Sequence, residues 1–325
     1  MPTRRHLGGA ALCVAATATS SVVHAQPPWP GERPIEVVVP FPPAGGVDVM
    51  ARLFLPFVAQ RLPGARFLVS NRAGAAGQIG FEAVFNAAPD GHTLGAATLP
   101  NLNAIAMERP VRYRALDFAF LANAVEDPSC LYVAAASPLH SVRDLVEAAK
   151  AQPGRLTYGT TGAGSDDHLF MLAFEELAGI PPLAHIPFAG APPGLAQLTG
   201  GHLDIAAFNV GDGLALRREG RLRCLAQAAA RRWDAAAEVP TFRELGFDLV
   251  MGASRGFVGP PGLPRPVAER LEAAFAAALA DTDFLRAAER TGLPLRPLVG
   301  AAYREMAAKT EATLRGLWQR RPWRG

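Results

Sequence analysis

Cysteine is scarce in this chain: it occurs three times in 325 residues, at positions 13, 130 and 224. Cys13 belongs to an N-terminal apolar segment, so at most one disulfide can form in the remainder. Cys130 and Cys224 lie in apolar, strand-like runs, where buried free thiols are common. Pairing them would need Cα atoms within about 7 Å. Both states of the two thiols therefore remain open.

A large excess of charge of one sign is also missing. The chain has 32 basic and 29 acidic residues. Arg4 and Arg5 lie in the N-terminal segment, and without them 30 basic residues face 29 acidic ones, a net charge of +1. A nearly neutral chain lacks the electrostatic signature of nucleic-acid binding. We therefore expect no nucleic-acid partner.

An uninterrupted apolar run long enough for a membrane span is absent at the N-terminus. Residues 1–25 combine a basic start, an apolar middle broken by Gly, Thr and Ser, and Val23-His24-Ala25 before Gln26. This pattern is typical of a secretory signal with a small-residue cleavage site. Arg4 and Arg5 suit twin-arginine export as well as the general route. The pattern predicts a periplasmic protein that begins at Gln26.

Glycine and proline, by contrast, are concentrated in informative places. The buried run at residues 35–39 enters a Pro/Gly turn at residues 40–46, and Asp48 opens an apolar-periodic segment. This order predicts a strand, a tight loop and a helix start. The glycines let backbone N–H groups at the helix N-terminus approach an anion. An ordinary connection capped by Asp48 is the alternative.

Beyond this loop, strands and helices alternate along roughly 300 residues, which exceeds a typical single core. The alternation predicts parallel strands with crossover helices and two α/β lobes. Predicted strands occupy 35–39, 67–71, 93–98, 118–125, 131–136, 156–159, 184–187, 203–209 and 223–227, and a return crossing occupies 247–258. Predicted helices occupy 47–61, 77–88, 142–151, 165–177, 193–199, 264–280, 283–291 and 301–318. The basic tail at residues 319–325 has no apolar period, and we expect it to be loose.

A second glycine-rich loop, at residues 159–168, ends in Ser165, a natural N-cap before a helical run. This loop is either a plain capped helix or a second anion cradle opposite the first, with His168 packed behind it, and the family resemblance described below favours the cradle. Ser165, Asp166, Asp167 and His168 are also the residue types of a hydrolase triad. Neighbours within one helical turn diverge, whereas a triad must converge on one point. The same divergence argues against a metal site, so we expect neither catalysis nor a cofactor.

The motifs resemble those of the tripartite tricarboxylate transporter substrate-binding family, the Bug-type periplasmic receptors. Val39 to Arg52 resembles the family pattern V-P-F-P-P-G-G-x-x-D-x-x-A-R, except that Ala44 replaces its first Gly. Further matches, in the family's order, are Asn71 to Gly80, Pro89 to Leu94, Tyr158 to Leu169, His185 to Ala191 and Val239 to Gly246. Together they cover nearly the whole chain after residue 25.

The resemblance implies a type II periplasmic binding protein with two lobes, each a mainly parallel sheet flanked by helices, joined by two hinge crossings. Lobe 1 would comprise residues 26–130 and 253–325, and lobe 2 residues 131–252. The protein would be a monomeric receptor that binds a small organic carboxylate (a dicarboxylate, amino acid, aromatic acid or citrate-like acid) for membrane transporter subunits. A receptor for a signalling partner is the alternative. The implied ligand-binding residues are Phe41, Pro42, Ala44, Gly45, Gly46, Asp48, Thr160, Thr161, Gly162, Gly164, Ser165, His168, Phe188 and Asn209.

Specificity is expected from side chains at the far end of the ligand. Candidates are Asn101, Asn103, Phe188, Asn209 and Asp212. Two further positions depart from the family pattern at the return crossing, where Ser254 replaces a Trp and Arg255 follows it. Ser254 would enlarge the cleft if it faces the ligand. Arg255 could add a charge there, but we favour a place on the hinge surface. No Lys or Arg occurs in either loop, and Arg52 is expected to meet solvent or a carboxylate such as Asp48 or Glu82.

Overall fold

A computed structural model describes Met1 and residues 29–323 of the chain. Apart from Met1, the predicted signal segment at residues 1–25 lies outside the described residues. Within the described part, no helix combines the length and apolarity that crossing a membrane requires.

The first lobe begins with three parallel strands. They are β1 (Ile35–Val39), β2 (Phe67–Asn71) and β3 (Thr93–Leu99), in the spatial order β2-β1-β3. Helices α1 (Gly46–Arg61), α2 (Gln78–Phe85) and α3 (Asn101–Glu108) follow these strands in turn. Four of the five residues of β1 are Val or Ile and are buried, as expected for a parallel strand covered on both faces, and only Glu36 is partly exposed.

The second lobe repeats the scheme. Its parallel strands are β5 (Thr157–Thr160), β6 (Ala184–Pro187) and β7 (Ile205–Asn209), and β5 lies between the other two. The helices are α4 (Val142–Ala151), α5 (Asp166–Ala178), α6 (Ala191–Thr199) and α7 (Val210–Arg218). Strand β8 (Leu222–Gln227) completes this sheet.

Two long antiparallel strands cross between the lobes. Strand β4 (Ala119–Ala134) pairs with β9 (Gly252–Gly259) along its first part and with β7 and β8 along its second part. The prediction of two separate strands at 118–125 and 131–136 is therefore wrong. Pro128 interrupts the pattern in the sequence, but the chain stays extended there and pairs with Gly252. The predicted lobe boundaries at residues 130 and 252 fall within or beside these crossing strands and stay predictions.

The return to the first lobe adds α8 (Arg265–Leu279), α9 (Thr282–Thr291), β10 (Leu295–Val299) and α10 (Ala301–Arg320). Each lobe has its own aromatic core. Phe54 lies within 6 Å, centroid to centroid, of the rings of Phe257, Phe275 and Phe284. In lobe 2, Phe242 similarly meets Phe170 and Phe174. Two independent cores joined by two strands give the two-lobed α/β architecture of type II periplasmic binding proteins, as predicted.

The C-terminal tail packs against the protein, so the expectation that it is loose is wrong. Trp323 is 1% exposed and packs with Ala104, Leu169 and Leu314. Arg321 donates to the Leu172 carbonyl and to Glu175 Oε2, both at 2.6 Å. The segment follows α10 of lobe 1 but contacts α5 of lobe 2, so tertiary contacts order a stretch that has no apolar period. Arg324 and Gly325 lie outside the described residues.

Candidate functional site

The carboxyl ends of the parallel strands face each other across a small cavity between the lobes. Its volume is about 40 Å³. Asp166 of α5 donates its N–H to Asn101 Oδ1 of lobe 1 at 3.2 Å. A Cβ built on Gly162 would lie 3.1 Å from the Cβ of Ala76, and one built on Gly190 would lie 3.1 Å from Pro42. The lobes therefore touch on several sides of the cavity, which is a closed arrangement.

Predicted ligand-binding residues divide into two groups in this structure. Those that line the cavity are Phe41, Pro42, Gly45, Gly46, Thr161 and Asn209. Those that do not are Ala44, Asp48, Thr160, Gly162, Gly164, Ser165, His168 and Phe188. Most of the second group support the two loops from behind. Among the lining residues that sequence analysis did not propose as ligand-binding are Thr98 and Asp166.

The first loop leaves backbone donors free. Gly45 is the N-cap of α1 and contributes no side-chain cap. Among the described residues, no acceptor is hydrogen-bonded to the N–H of Gly46 or Val47, and both residues line the cavity. Since the first N–H groups of a helix lack internal partners, this end suits an anion.

Asp48 shapes the first loop without facing the ligand space. It lies in the first turn of α1, where its carboxylate accepts from the Ala44 N–H at 3.0 Å and from Arg52 and Asn71 at 2.9 Å. Burial alone would raise the pKa of Asp48. The hydrogen bonds from Arg52, Ala44 and Asn71 have the larger combined effect, so the pKa is lower than that of a free aspartate. Asp48 is therefore not the N-cap. Arg52 meets Asp48, one of the two expected partners, while Glu82 pairs with Arg112.

Ala44 keeps the backbone conformation that a glycine would favour. Its φ is +65°, in the left-handed region. A residue with a Cβ pays roughly 1–2 kcal/mol there. The Asp48 carboxylate compensates by binding the Ala44 N–H. The loop thus retains the positive φ despite the departure from the family pattern.

Four backbone donors of the second loop meet acceptors of the protein. The Thr161 N–H donates to Asp167 Oδ2 at 3.0 Å, and the Gly162 N–H donates to Thr160 Oγ1 at 3.1 Å. The Gly164 N–H donates to His168 Nδ1 at 3.2 Å, and that of Asp166 is held by Asn101. These four donors face protein acceptors, contrary to the expectation of a second anion cradle.

Ser165 and His168 brace this loop. Ser165 is the N-cap of α5, as predicted, and its Oγ accepts from the His168 N–H at 3.2 Å. The rings of His168 and His185 stack at 4.3 Å, and His185 Nε2 lies 2.6 Å from Thr160 Oγ1. Burial lowers the pKa of His168 to about 3 and that of His185 to about 4. A neutral His168 can accept at Nδ1, which confirms its predicted place behind the loop.

The hydrolase-type residues do not converge. Ser165 Oγ meets the backbone of His168, while Asp167 binds Thr161 and Asp166 binds Asn209. No carboxylate among the described residues orients the His168 ring, whose Nδ1 accepts from Gly164. Ser165, Asp166, Asp167 and His168 therefore form no triad in this arrangement.

Arg255 lies in the floor of the cleft. It is 3% exposed, and Nη1 lies 3.0 Å from Asp127 Oδ2 on the neighbouring crossing strand. Nη2 donates to Asn209 Oδ1 at 2.8 Å and lies 3.4 Å from Asp212 Oδ1. Burial raises the pKa of Asp127 to about 7, against the opposing attraction of Arg255. The favoured prediction of a surface position for Arg255 is wrong.

Asn209 links the guanidinium to a further carboxyl group. While its Oδ1 accepts from Arg255, its Nδ2 donates to Asp166 Oδ2 at 2.9 Å and to the Asp127 carbonyl at 3.2 Å. Burial raises the pKa of Asp166. The neutral amide of Asn209 thus lies among carboxyl groups.

Of the remaining specificity candidates, some line the cavity and others lie away from it. Asn101 lines the cavity, but Asn103 is buried toward α10, with Nδ2 within 3.5 Å of the Ala307 carbonyl. Phe188 packs against Gly159, whose Cβ position is 2.8 Å from the ring. Ser254 lines a groove with Leu99 and Met306 outside the cleft, because side chains alternate along a strand and Arg255 takes the inner side. Ser254 therefore does not enlarge the cavity.

A two-lobed α/β fold with a polar cavity at the strand ends defines a solute-binding receptor. The family model for the tripartite tricarboxylate transporter family receptor matches residues 52–305. A "UPF0065 protein in tcbD-tcbE intergenic region" from Pseudomonas sp. strain P51 is 33% identical over 303 residues, covering 89% of this chain and 86% of that protein. The chain therefore belongs to the tripartite tricarboxylate transporter receptor family.

Solved structures agree with this assignment. MatC from Rhodopseudomonas palustris, solved with bound malate, is 28% identical with a TM-score of 0.79, covering 87% of this chain and 98% of that one. A second R. palustris protein, solved with adipate, is 27% identical with a TM-score of 0.81, covering 90% and 96%. Family and fold are those of solute-binding receptors.

Proposed function

We propose that this protein is a periplasmic receptor that closes its lobes over a small organic carboxylate and delivers it to a tripartite tricarboxylate-type membrane transporter. The observation that carries the proposal is the start of α1, where the Gly46 and Val47 N–H groups border the closed cavity without a partner among the described residues. Fixed donors at a helix N-terminus in a desolvated site favour an anion.

The related structures support the ligand class. Malate and adipate, bound by the two R. palustris relatives, are both small carboxylates. We infer the same general class for this chain, with one carboxylate group at the start of α1.

A ligand in the cavity would contact both lobes and so favour their closure. Gly46 belongs to lobe 1, whereas Thr161 and Asn209 belong to lobe 2, and all three line the same cavity. A ligand that touches both lobes favours the closed state by its differential affinity for that state. Transfer to membrane subunits would follow reopening, and the role of the protein is capture rather than chemical conversion.

A thermal-shift screen tests the ligand class. The purified protein would be heated with small carboxylates, including malate and adipate, and with the corresponding amides. A ligand at 100 times its dissociation constant stabilises the folded state by about 2.7 kcal/mol. We expect shifts with carboxylates and none with their amides, because an amide lacks the anionic oxygens. Equal shifts with both series, or none with any carboxylate, would contradict the proposal.

A further inference from the structure

The guanidinium of Arg255 keeps unused donor capacity in a buried position. An arginine carries five N–H donors. Asp127 engages Nη1, and Asn209 and Asp212 engage Nη2. Among the described residues, the Nε–H donates to no acceptor, and Nη1 makes only the ion pair with Asp127. A buried group with free charged donors is suited to an anionic ligand.

The same guanidinium lies against the first turn of α1. A Cβ built on Gly46 would lie 2.6 Å from Arg255 Cζ and 2.8 Å from Nη2. Two electropositive groups of the protein, the helix N-terminus and the guanidinium, therefore border one space. A carboxylate that binds the Gly46 and Val47 N–H groups comes within reach of Arg255.

Carboxyl groups also line the cavity. Asp166 and Asp212 line it, and Asp127 lies directly behind Arg255. Three carboxyl groups thus surround one guanidinium. A second carboxylate on the ligand would meet like charge there, whereas an ammonium or hydroxyl group would find acceptors.

Thr98 adds an independent observation. Its side chain is 2% exposed and lines the cavity, and its Oγ1 has no hydrogen-bond partner among the described residues. Buried hydroxyl groups are almost always paired, so an orphan in a cleft indicates a place for a ligand atom.

We propose that the cleft selects a monoanionic carboxylate whose other polar groups donate hydrogen bonds, with Arg255 as its charged contact. This inference rests on the proposed function and narrows it. The carboxylate bridges the start of α1 and Arg255, and the donor end faces Asp166, Asp212 and Thr98. A dicarboxylate of the same length should then bind more weakly than such a monocarboxylate, whereas the two relatives were solved with the dicarboxylates malate and adipate.

Isothermal titration calorimetry with ligand pairs of equal length tests the selection. One pair is adipate against 6-aminohexanoate, and another is succinate against 4-aminobutyrate or 4-hydroxybutyrate. We expect at least one donor-bearing monocarboxylate to bind at least tenfold more tightly than its dicarboxylate counterpart. In Asp212→Asn the preference should fall at least fivefold, because the wall loses a charge. Dicarboxylates that bind equally or more tightly would overturn the inference while leaving the proposed function intact.

Arg255→Gln tests the charged contact, and Arg231→Gln, at an exposed arginine outside the cleft, is the matched control. We expect at least a tenfold loss of affinity for the monocarboxylate in the first variant and less than a twofold change in the second. Because Arg255→Gln leaves Asp127 buried without its partner, Arg255→Gln with Asp127→Asn is measured in parallel. Unchanged affinity in a folded variant would overturn the role of Arg255. Failure of all carboxylates to bind the wild-type protein would overturn the proposed function as well.

Discussion

The two glycine-rich loops follow the same local pattern, a buried strand, a Gly-containing turn and a helix start, yet they differ in which donors border the cavity. In the first loop the Gly46 and Val47 N–H groups have no acceptor among the described residues, and both residues line the cavity. In the second, Asp167, Thr160, His168 and Asn101 accept four backbone hydrogen bonds, and the N–H groups left without an acceptor among the described residues belong to Ala163 and Asp167, which do not line the cavity. The comparison shows that a glycine-rich turn indicates where donors lie but not whether they are available.

The difference has a structural origin. Asp48, the acidic residue in the first turn of α1, binds Ala44 of the loop and Asn71 at the end of β2, and it does not line the cavity. In the second loop the acidic residues Asp166 and Asp167 are buried beside the turn itself. We infer that the first loop is the anion site and that the second is a rigid wall, and the following predictions test this division.

The largest expected effect concerns the support of the second loop from the C-terminal tail. Trp323 is buried, and its Nε1 lies 3.5 Å from the Cβ position of Gly164. Trp323→Ala should lower the free energy of unfolding by about 3–5 kcal/mol, typical for removing a buried aromatic side chain. Trp318→Ala, at a half-buried neighbouring ring, is the matched control with a smaller expected loss. Urea denaturation measures both, and equal losses would show that the tail does not specifically support the loop.

The second prediction concerns protonation of the histidine pair behind the second loop. Folded His168 and His185 have pKa values of about 3 and 4, whereas an unfolded histidine has a pKa of about 6.5. At pH 5 the unfolded chain therefore binds protons that the folded chain does not. Relative to pH 7, His168 should lower the free energy of unfolding by about 2 kcal/mol, and the contribution of the half-buried His185 should be smaller because solvent screens it.

NMR titration of the two rings, folded and in urea, checks this directly. Both rings should stay neutral in the folded protein between pH 7 and pH 5 and should protonate in urea. The contribution of His168 to stability is the difference in the pH dependence of the unfolding free energy between the wild-type protein and His168→Asn. This comparison is needed because Asp127, whose pKa is raised, makes the folded protein more stable as the pH falls. Protonation of a folded ring near pH 6.5 would show that the second loop is open to solvent.

The third prediction separates two adjacent glycines of the first loop. A Cβ on Gly46 would collide with the Arg255 guanidinium, whereas one on Gly45 would lie 3.5 Å from the Pro42 carbonyl, an ordinary contact. Gly46→Ala should weaken carboxylate binding at least tenfold, about 1.4 kcal/mol. Gly45→Ala should change it less than threefold. Isothermal titration calorimetry measures the affinity of both variants. Equal losses of affinity in Gly45→Ala and Gly46→Ala would mean that the anion does not bind in the space next to Gly46.

The smallest expected effect belongs to the cap of α5. Ser165→Ala removes the acceptor of the His168 N–H and should lower the free energy of unfolding by about 1 kcal/mol. Carboxylate affinity should stay within threefold, since the Ser165 side chain does not line the cavity. Thermal denaturation and calorimetry measure the two quantities. A large loss of affinity with unchanged stability would show that the second loop is part of the anion site.

Local patterns predicted many elements with accurate limits. Strands β1 and β2 and helix α4 begin and end where the apolar pattern placed them. Helix α7 was missed because Gly211 and Gly213 lower its intrinsic propensity, and the hydrogen bond from the Asn209 N–H to Asp212 and packing on β4 compensate. Strand β10 was missed because Pro297 and Arg296 obscure its pattern, although it pairs with β4.

The sequence by itself determined the two-lobed α/β fold and the family, and it singled out the first loop as the proposed anion site, because these depend on apolar periodicity and local motifs. Only the tertiary structure decided the character of the cleft. Asp127, Asn209, Asp212 and Arg255 come together because β4, β7 and β9 pair at the crossing. Whether a loop donor is free likewise depends on acceptors from distant segments, as Asn101 shows for Asp166. Such pairings join residues far apart in the chain, so no local pattern contains them.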